Sequence, residues 1–178
     1  MNVLDFELRE VHSDEADEVA EIEQICFPPH EACSPAQMRS RVKAAPELFL
    51  VAVDKKTGKV AGLLNGLATD ESAFHDGFFL DTGLHRADGK NVMILGLDVL
   101  PQYRNQGLAR EIVSCYLQRE RDKKRCRVIL TCLEDKIKMY EKMGFQNMGL
   151  ANSTWGGEKW YEMHFILNEQ EAEKACLN

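Results

Sequence analysis

No apolar run in the 178-residue chain approaches the roughly 18 residues that a membrane span needs. The first ten residues, MNVLDFELRE, carry neither a basic stretch nor a continuous apolar one, so no secretory signal is expected there. Basic charge is in deficit: 22 Lys and Arg stand against 29 Asp and Glu, a formal net charge of −7. That balance argues against nucleic acid or an anionic membrane as the partner. The six cysteines (Cys26, Cys33, Cys115, Cys126, Cys132, Cys176) include no C-x-x-C pair and no Cys/His spacing of the zinc-finger kind. Free thiols, a cytoplasmic location and no metal are the expectation. Repeats, low-complexity tracts and linker-like stretches are also missing.

What remains is a globular balance, with 44% hydrophobic and 29% charged residues. The length suits one domain, expected over residues 1–168, with a polar C-terminal tail over 169–178. Charge is uneven along the chain. Residues 1–31 hold ten acids and one base, whereas residues 101–145 hold eleven bases and six acids.

Hydrophobic periodicity supplies the elements. Phe6, Leu8 and Val11 alternate as in a strand. A helix follows from Ser13 or Asp14 to about Cys26, with Val19, Ile22, Ile25 and Cys26 on one face, and Phe27-Pro28-Pro29 ends it. Ser34-Pro35-Ala36-Gln37 carries a cap, a first-turn proline and a capping-box glutamine for a second helix to about Ala44. Residues 48–53 and 60–67 flank a turn-rich segment as a hairpin does. Residues 69–90 are less regular. Val92–Leu100 and Arg127–Cys132 are apolar on both faces, as buried central strands are. Helices are predicted from Gly107 to about Lys124 and from Lys136 to Met143, and two last strands from Phe145 to Leu150 and Lys159 to Leu167. These alternations predict an α/β domain with a mixed sheet.

The most informative stretch is Leu97 to Ala109, L-D-V-L-P-Q-Y-R-N-Q-G-L-A. A strand runs into a short loop that opens a long helix. The first turn of such a helix offers outward N–H groups and the positive end of the macrodipole. Gly107 and Ala109 leave the backbone approachable, and Arg104 and Arg110 add positive charge. The pattern predicts a phosphate cradle, although it has neither the G-K-[ST] ending of a P-loop nor a G-x-G-x-x-G turn.

R-N-Q-G-L-A resembles the [RQ]-x-x-G-x-[GA] pyrophosphate loop of the GNAT superfamily of acyl-CoA-dependent N-acetyltransferases. Met139-Tyr140-Glu141-Lys142-Met143-Gly144-Phe145 is similar to that family's Y-E-K-x-G-F segment, and the order of elements agrees over about residues 5–167. A closer likeness is to the arylalkylamine (serotonin) N-acetyltransferase branch. It rests on Cys26-Phe27-Pro28-Pro29-His30-Glu31-Ala32-Cys33-Ser34, Ala45-Pro46-Glu47-Leu48 and Leu84-His85-Arg86-Ala87-Asp88-Gly89.

The resemblance implies a mixed, mostly antiparallel sheet of about seven strands, about four flanking helices and splayed central strands. It implies acetyl-CoA as cosubstrate. The pantetheine arm would lie along the backbone of Leu97, Asp98 and Val99, and the pyrophosphate on Arg104, Asn105, Gln106, Gly107, Leu108, Ala109 and Arg110. Tyr140 matches the family's acid, which protonates the departing thiolate. The vertebrate enzymes' two strand histidines fall on Met93 and Leu95, which carry no proton. Glu31 is then the candidate base, as in insect and microbial relatives, with His30 the alternative. Ser153, Thr154 and Trp155 would border the acceptor site; Cys132 is expected to be a buried core thiol. The implied reaction is direct acetyl transfer to a primary amine, arylalkylamine-like, by a monomer or homodimer. Another acceptor (polyamine, amino acid, aminoglycoside or protein N-terminus), or a CoA-binding sensor without catalysis, are the alternatives.

Overall fold

The computed structural model describes residues 5–175, apart from the side chains of residues 171, 172 and 175. In chain order the elements are β1 (Phe6–Glu10), α1 (Ala16–Cys26), α2 (Pro35–Ala44), β2 (Phe49–Asp54), β3 (Val60–Thr69), α3 (Gly77–Leu80) and β4 (Asn91–Val99). Then come α4 (Leu108–Asp122), β5 (Arg127–Cys132), α5 (Ile137–Glu141), β6 (Gln146–Leu150), β7 (Tyr161–Ile166) and α6 (Glu169–Ala175). The strands form a seven-stranded sheet in the order β1-β2-β3-β4-β5-β7-β6. The pairing is mixed: β4 runs parallel to β5, and the β1–β2, β2–β3, β5–β7 and β6–β7 pairs are antiparallel.

The chain divides into two compact units, one of residues up to 66 with 95–116, the other of 67–94 with 117 onward. In the first, β1, β2 and β3 lie side by side, and every residue of β2 is buried. The core joins Val19 and Ile22 of α1, Met38 and Val42 of α2, and Phe49, Val51 and Leu63 of the strands. Ser34 caps α2 as its sequence predicts: its Oγ accepts the Gln37 N–H at 3.2 Å, and the Gln37 side chain accepts the Ser34 N–H at 2.7 Å. The Tyr103 hydroxyl donates to Asp54 Oδ2 at 2.8 Å, and Tyr116 donates to the Leu48 carbonyl at 3.0 Å, which ties the β4–α4 connection to the hairpin.

The buried face of α1 differs from its sequence reading. At about 100° per residue, Val19, Ile22, Glu23 and Cys26 share a face and Ile25 lies roughly 110° off it. Ile25 is accordingly exposed, and Glu23 is buried in its place.

In the second unit, β5 is flanked by Asn91–Met93 of β4 and by all six residues of β7. Its apolar faces follow from that placement, since both edges and both faces are covered. Buried Glu120 takes Arg125 Nε at 3.2 Å and Lys123 Nζ at 2.8 Å, which closes the C-terminal turn of α4. The irregular segment over 69–90 holds α3 and a further single helical turn, Thr82–Leu84. Residues 169–175 are helical, so α3 and α6 add two short helices to the about four implied. The last three residues of the expected tail, and Cys176 among them, lie outside the described residues.

Removing the α2 cap by Ser34→Ala should lower stability by about 1 kcal/mol in urea unfolding. Glu15, hydrogen-bonded by Arg9 at 2.6 Å and by the His12 N–H, is held below the usual carboxylate range, chiefly by Arg9. Its contribution is present above the ordinary Glu value and lost as pH falls, so Glu15→Gln should flatten the acid arm of a stability–pH curve.

Candidate active site

The β4–α4 connection takes its shape from two left-handed residues. Asn105 has φ 59° and Gly107 φ 84°. Asparagine tolerates that region, and glycine occupies it at no steric cost. A Cβ at Gly107 would meet nothing within 4 Å. Conformation, not crowding, therefore calls for glycine, and the space before the helix is open. The first turn of α4 closes with the Glu111 N–H on the Gly107 carbonyl at 3.1 Å. The earlier amides of Leu108 and Ala109 point out of the helix end. Arg104, Asn105, Gln106, Gly107 and Arg110 are exposed, whereas Leu108 is buried and anchors the turn. The connection thus presents outward amides, a positive helix end and exposed arginines, the elements of an anion cradle.

Strand β4 leads into this cradle. Its Leu100 N–H, one residue past the strand, donates to the Ala61 carbonyl of β3 at 2.9 Å. The Asp98 carbonyl also points at β3, within 2.7 Å of the place a Cβ on Gly62 would take. Because strand backbone groups alternate in direction, Leu97 and Val99 turn theirs to the other side. Two side chains already meet Val99 there: Arg104 Nε donates to its carbonyl at 2.8 Å and the Cys26 thiol at 3.4 Å. Arg104 thus folds the loop back onto the strand. For an added strand-like ligand, Leu97 and Val99 offer backbone, and Asp98 does not.

Sequence reasoning missed what surrounds Asp98. Its carboxyl is fully buried, beside Glu23 of α1, Arg41 of α2 and Asn65 of β3, which are also buried. Arg41 donates to Asn65 Oδ1 at 3.4 Å, and Glu23 Oε1 accepts the Cys33 N–H at 3.0 Å. Burial, then the charge of Glu23, pushes the Asp98 carboxyl well above the usual range. Burial also raises the thiols of Cys26 to about 11 and Cys33 to about 12, so both are protonated at neutral pH. The one available signal was glutamate at position 23, in register with Val19, Ile22 and Cys26.

The proposed proton carriers fall in different units. In the first, His30 and Glu31 occupy the turn after α1, where the Glu31 N–H donates to the Pro28 carbonyl at 2.9 Å. His30 Nε2 stands 3.4 Å from Glu31 Oε1; the histidine side chain is 51% exposed and the glutamate 10%. In the second unit, Tyr140 on α5 is buried, its ring edge-on to Phe145 at 5.6 Å, and Phe145 is edge-on to Phe165. Trp155 lies against Phe79 at 4.8 Å, and its carbonyl accepts from Trp160 Nε1. Ser153 and Thr154 both donate to Asp76. Cys132 is a buried thiol raised to about 11. Met93 and Leu95 are buried.

A family model described as the acetyltransferase (GNAT) family matches residues 16–145, well over half of the chain. The chain belongs to that family. Membership supports an acyltransferase that draws on acetyl-CoA, and residues 104–109 lie inside the matched span. Among solved structures, the loading GNATL domain of CurA from Lyngbya majuscula is similar at TM-score 0.77 and 13% identity, over 91% of this chain and 98% of that one. YncA from Salmonella typhimurium, a putative acetyltransferase with its cofactor acetyl-CoA, is similar at 0.65 and 16%, over 93% and 95%. The ribosomal-protein-S18-alanine N-acetyltransferase of Escherichia coli is similar at 0.68 and 15%, over 92% and 94%. At these identities the likeness shows the fold alone. A search of curated proteins finds no match. Nothing in these comparisons supports the arylalkylamine branch in particular.

Gly107→Ala should cost about 1 kcal/mol in urea unfolding, because alanine must adopt the left-handed φ of 84° although nothing obstructs its methyl group.

Proposed function

We propose that this protein is an N-acetyltransferase that moves an acetyl group from acetyl-CoA directly to a small primary amine, arylalkylamine-like in class. The observation that carries the reading is the β4–α4 connection of a GNAT chain: left-handed residues at 105 and 107 open the helix end, and arginines flank it. The outward amides of Leu108 and Ala109 suit the pyrophosphate of acetyl-CoA, with Asn105, Gln106 and Arg110 around it. The backbone of Leu97 and Val99 suits its pantetheine amides.

In the proposed chemistry the neutral amine attacks the thioester carbonyl. A carbon–nitrogen bond forms, the carbon–sulfur bond breaks, and the amine's proton goes to a base. An alkylammonium titrates near 10.4, as lysine does, so the base matters at neutral pH. Glu31 is the residue we assign, with His30 beside it as the alternative. Tyr140 is the acid for the departing thiolate: a phenol near pKa 10 stays neutral until the thiolate forms. Acidic residues of the N-terminal segment favour a cationic acceptor over an anionic one.

Purified protein with acetyl-CoA and tryptamine, phenethylamine or tyramine should release free thiol. Turnover confined to polyamines or peptides would replace the acceptor class, and tight acetyl-CoA binding without turnover over a broad amine panel would leave a binding module. Gly107→Glu should weaken acetyl-CoA binding at least tenfold by calorimetry, since it sets a carboxylate against the pyrophosphate. Tyr140→Phe should lower kcat at least tenfold with acetyl-CoA affinity nearly unchanged; wild-type turnover across pH would remove it from the acid role. Glu31→Gln should remove the acid limb of the kcat/KM profile. An unchanged limb would pass the role to His30 or solvent.

A further inference from the structure

Three buried polar atoms without hydrogen-bond partners converge on one point in the first unit. They are Glu23 Oε2, Asp98 Oδ1 and Asn65 Nδ2. Measured from where a Cβ on Gly96 would stand, they lie at 3.4, 3.2 and 3.2 Å. Asp98 Oδ2 is likewise buried and without a partner. Four elements supply the cluster: α1 gives Glu23, α2 gives Arg41, β3 gives Asn65 and β4 gives Asp98.

The hydrogen-bonding chemistry of this group does not close as drawn. Arg41 donates to Asn65 Oδ1, which fixes the amide and turns Nδ2 toward the carboxyl groups. That leaves one amide nitrogen to serve three orphaned carboxylate oxygens. Charge does not close within the buried group either: Glu23 and Asp98 bring two negative charges and Arg41 one positive, and Arg104, the other arginine that faces them, is exposed. A second, uncompensated carboxylate at zero exposure is among the costliest arrangements a protein can hold. One proton on the carboxyl pair resolves both problems. It makes a donor out of an acceptor and brings the net charge of the cluster to zero. A metal ion would not, because the amide nitrogen facing the oxygens is a donor.

We propose that Glu23 and Asp98 hold one proton between them and that this protonated pair is a positioning element, tying α1 to β4 directly behind Leu97 and Val99. The first half stands on the cluster alone. The second rests on the acyl-carrier reading given above, in which the backbone of Leu97 and Val99 forms the receiving edge. Asp98 sits between these two residues, so any displacement of its side chain moves both.

The groups facing the pair are Cys26 on α1, Cys33 after it, Arg41 on α2, uncharged Asn65 on β3, and Arg104 from the loop. Both thiols stay neutral well above physiological pH, so the arginines are the charges that favour ionisation of a second carboxyl, and burial and the charge of Glu23 oppose it. Burial outweighs them in the direction it gives Asp98. The sign follows: the native state keeps a proton that the unfolded chain releases near the ordinary Asp value of about 3.9. Stability from the pair is therefore full below that pH and falls as pH rises toward the native value.

Infrared spectra of the full chain at neutral pH test the shared proton. Wild type should show the carbonyl stretch of a protonated carboxyl. The stretch should vanish in Asp98→Asn and in Glu23→Gln, where a neutral amide replaces the acid; either variant suffices should the other fail to fold. The unfolding constant of wild type relative to Asp98→Asn should rise about tenfold per pH unit over the window in which the unfolded chain alone has released its proton. Calorimetry with acetyl-CoA tests the positioning role. Wild-type affinity should weaken toward alkaline pH, Asp98→Asn should lose that dependence, and Asp98→Leu should bind at least tenfold more weakly than Asp98→Asn. A neutral-pH spectrum of wild type without the band, or a band surviving in both variants, overturns the shared proton. The band present with equal pH dependence of affinity in wild type and Asp98→Asn overturns the positioning role. The band present with no acetyl-CoA heat from wild type at any pH overturns the acyl-carrier reading, and the positioning role with it.

Discussion

The chain has to leave β4 and begin α4 within a few exposed residues, and it does so by passing through the left-handed region at Asn105 and again at Gly107. Two such residues one apart swing the intervening amides to one side and aim the helix end outward. A right-handed route would extend the strand or start the helix early and turn those amides into its own ladder. Arg104 makes the bend durable, since its Nε holds the Val99 carbonyl. Tyr103 does the same from below through Asp54. The anion binding proposed for the site would thus be a backbone property, held by side chains that need not touch the anion.

Local signals were legible in the sequence because their physics is local. The Ser34–Gln37 capping box, the boundaries of α2 and β5, and the strand–loop–helix passage at 97–109 all rest on neighbours within a few residues. The mixed sheet of about seven strands came through the resemblance, and the order of the strands within it was not read at all, since periodicity does not choose partners. The Glu23 cluster was not legible, and the reason is physical. Its members are separated by up to 75 positions, and each has an ordinary solvated reading in its own segment. Glu23 sits among Asp17, Glu18 and Glu21, where one more acid looks like surface. Asp98 lies in an apolar run, where a single polar residue signals something but not its partner. Ile25 shows the converse error: apolar character placed it on the buried face, and helix geometry puts it outside.

The site residues inherited from the resemblance differ in how much geometry stands behind them. The cradle residues form one continuous exposed segment whose conformation follows from two φ angles. Tyr140 is placed by an edge-on aromatic contact, which fits an acid held rigidly and equally fits a packing role. His30 and Glu31 sit in a turn closed by Pro28, with the imidazole Nε2 3.4 Å from the carboxylate. Backbone determines the first of these and side-chain chemistry the others. That is why the family and its carrier emerge more sharply than the acceptor. A fold fixes where a diphosphate can rest and leaves the amine to a handful of side chains.

Burying two carboxyl groups and an arginine in the middle of an otherwise apolar unit is not an economical way to stabilise it. Similar volume filled with leucine and methionine commonly gives equal or greater stability. The cluster's value must then lie in direction. An apolar contact between α1 and β4 is satisfied by many small displacements, whereas a proton bridging two carboxyl groups is satisfied by few. Gly96 tightens this further, because its missing side chain is the space on which the polar atoms converge. For a strand whose backbone is proposed to match the spacing of a ligand's amides, restriction of that kind is worth more than bulk. The same logic accounts for the cluster's place beside Leu97 and Val99 and not elsewhere along β4: under the proposed mode of binding, it is the stretch where backbone position, not side-chain identity, decides what can bind.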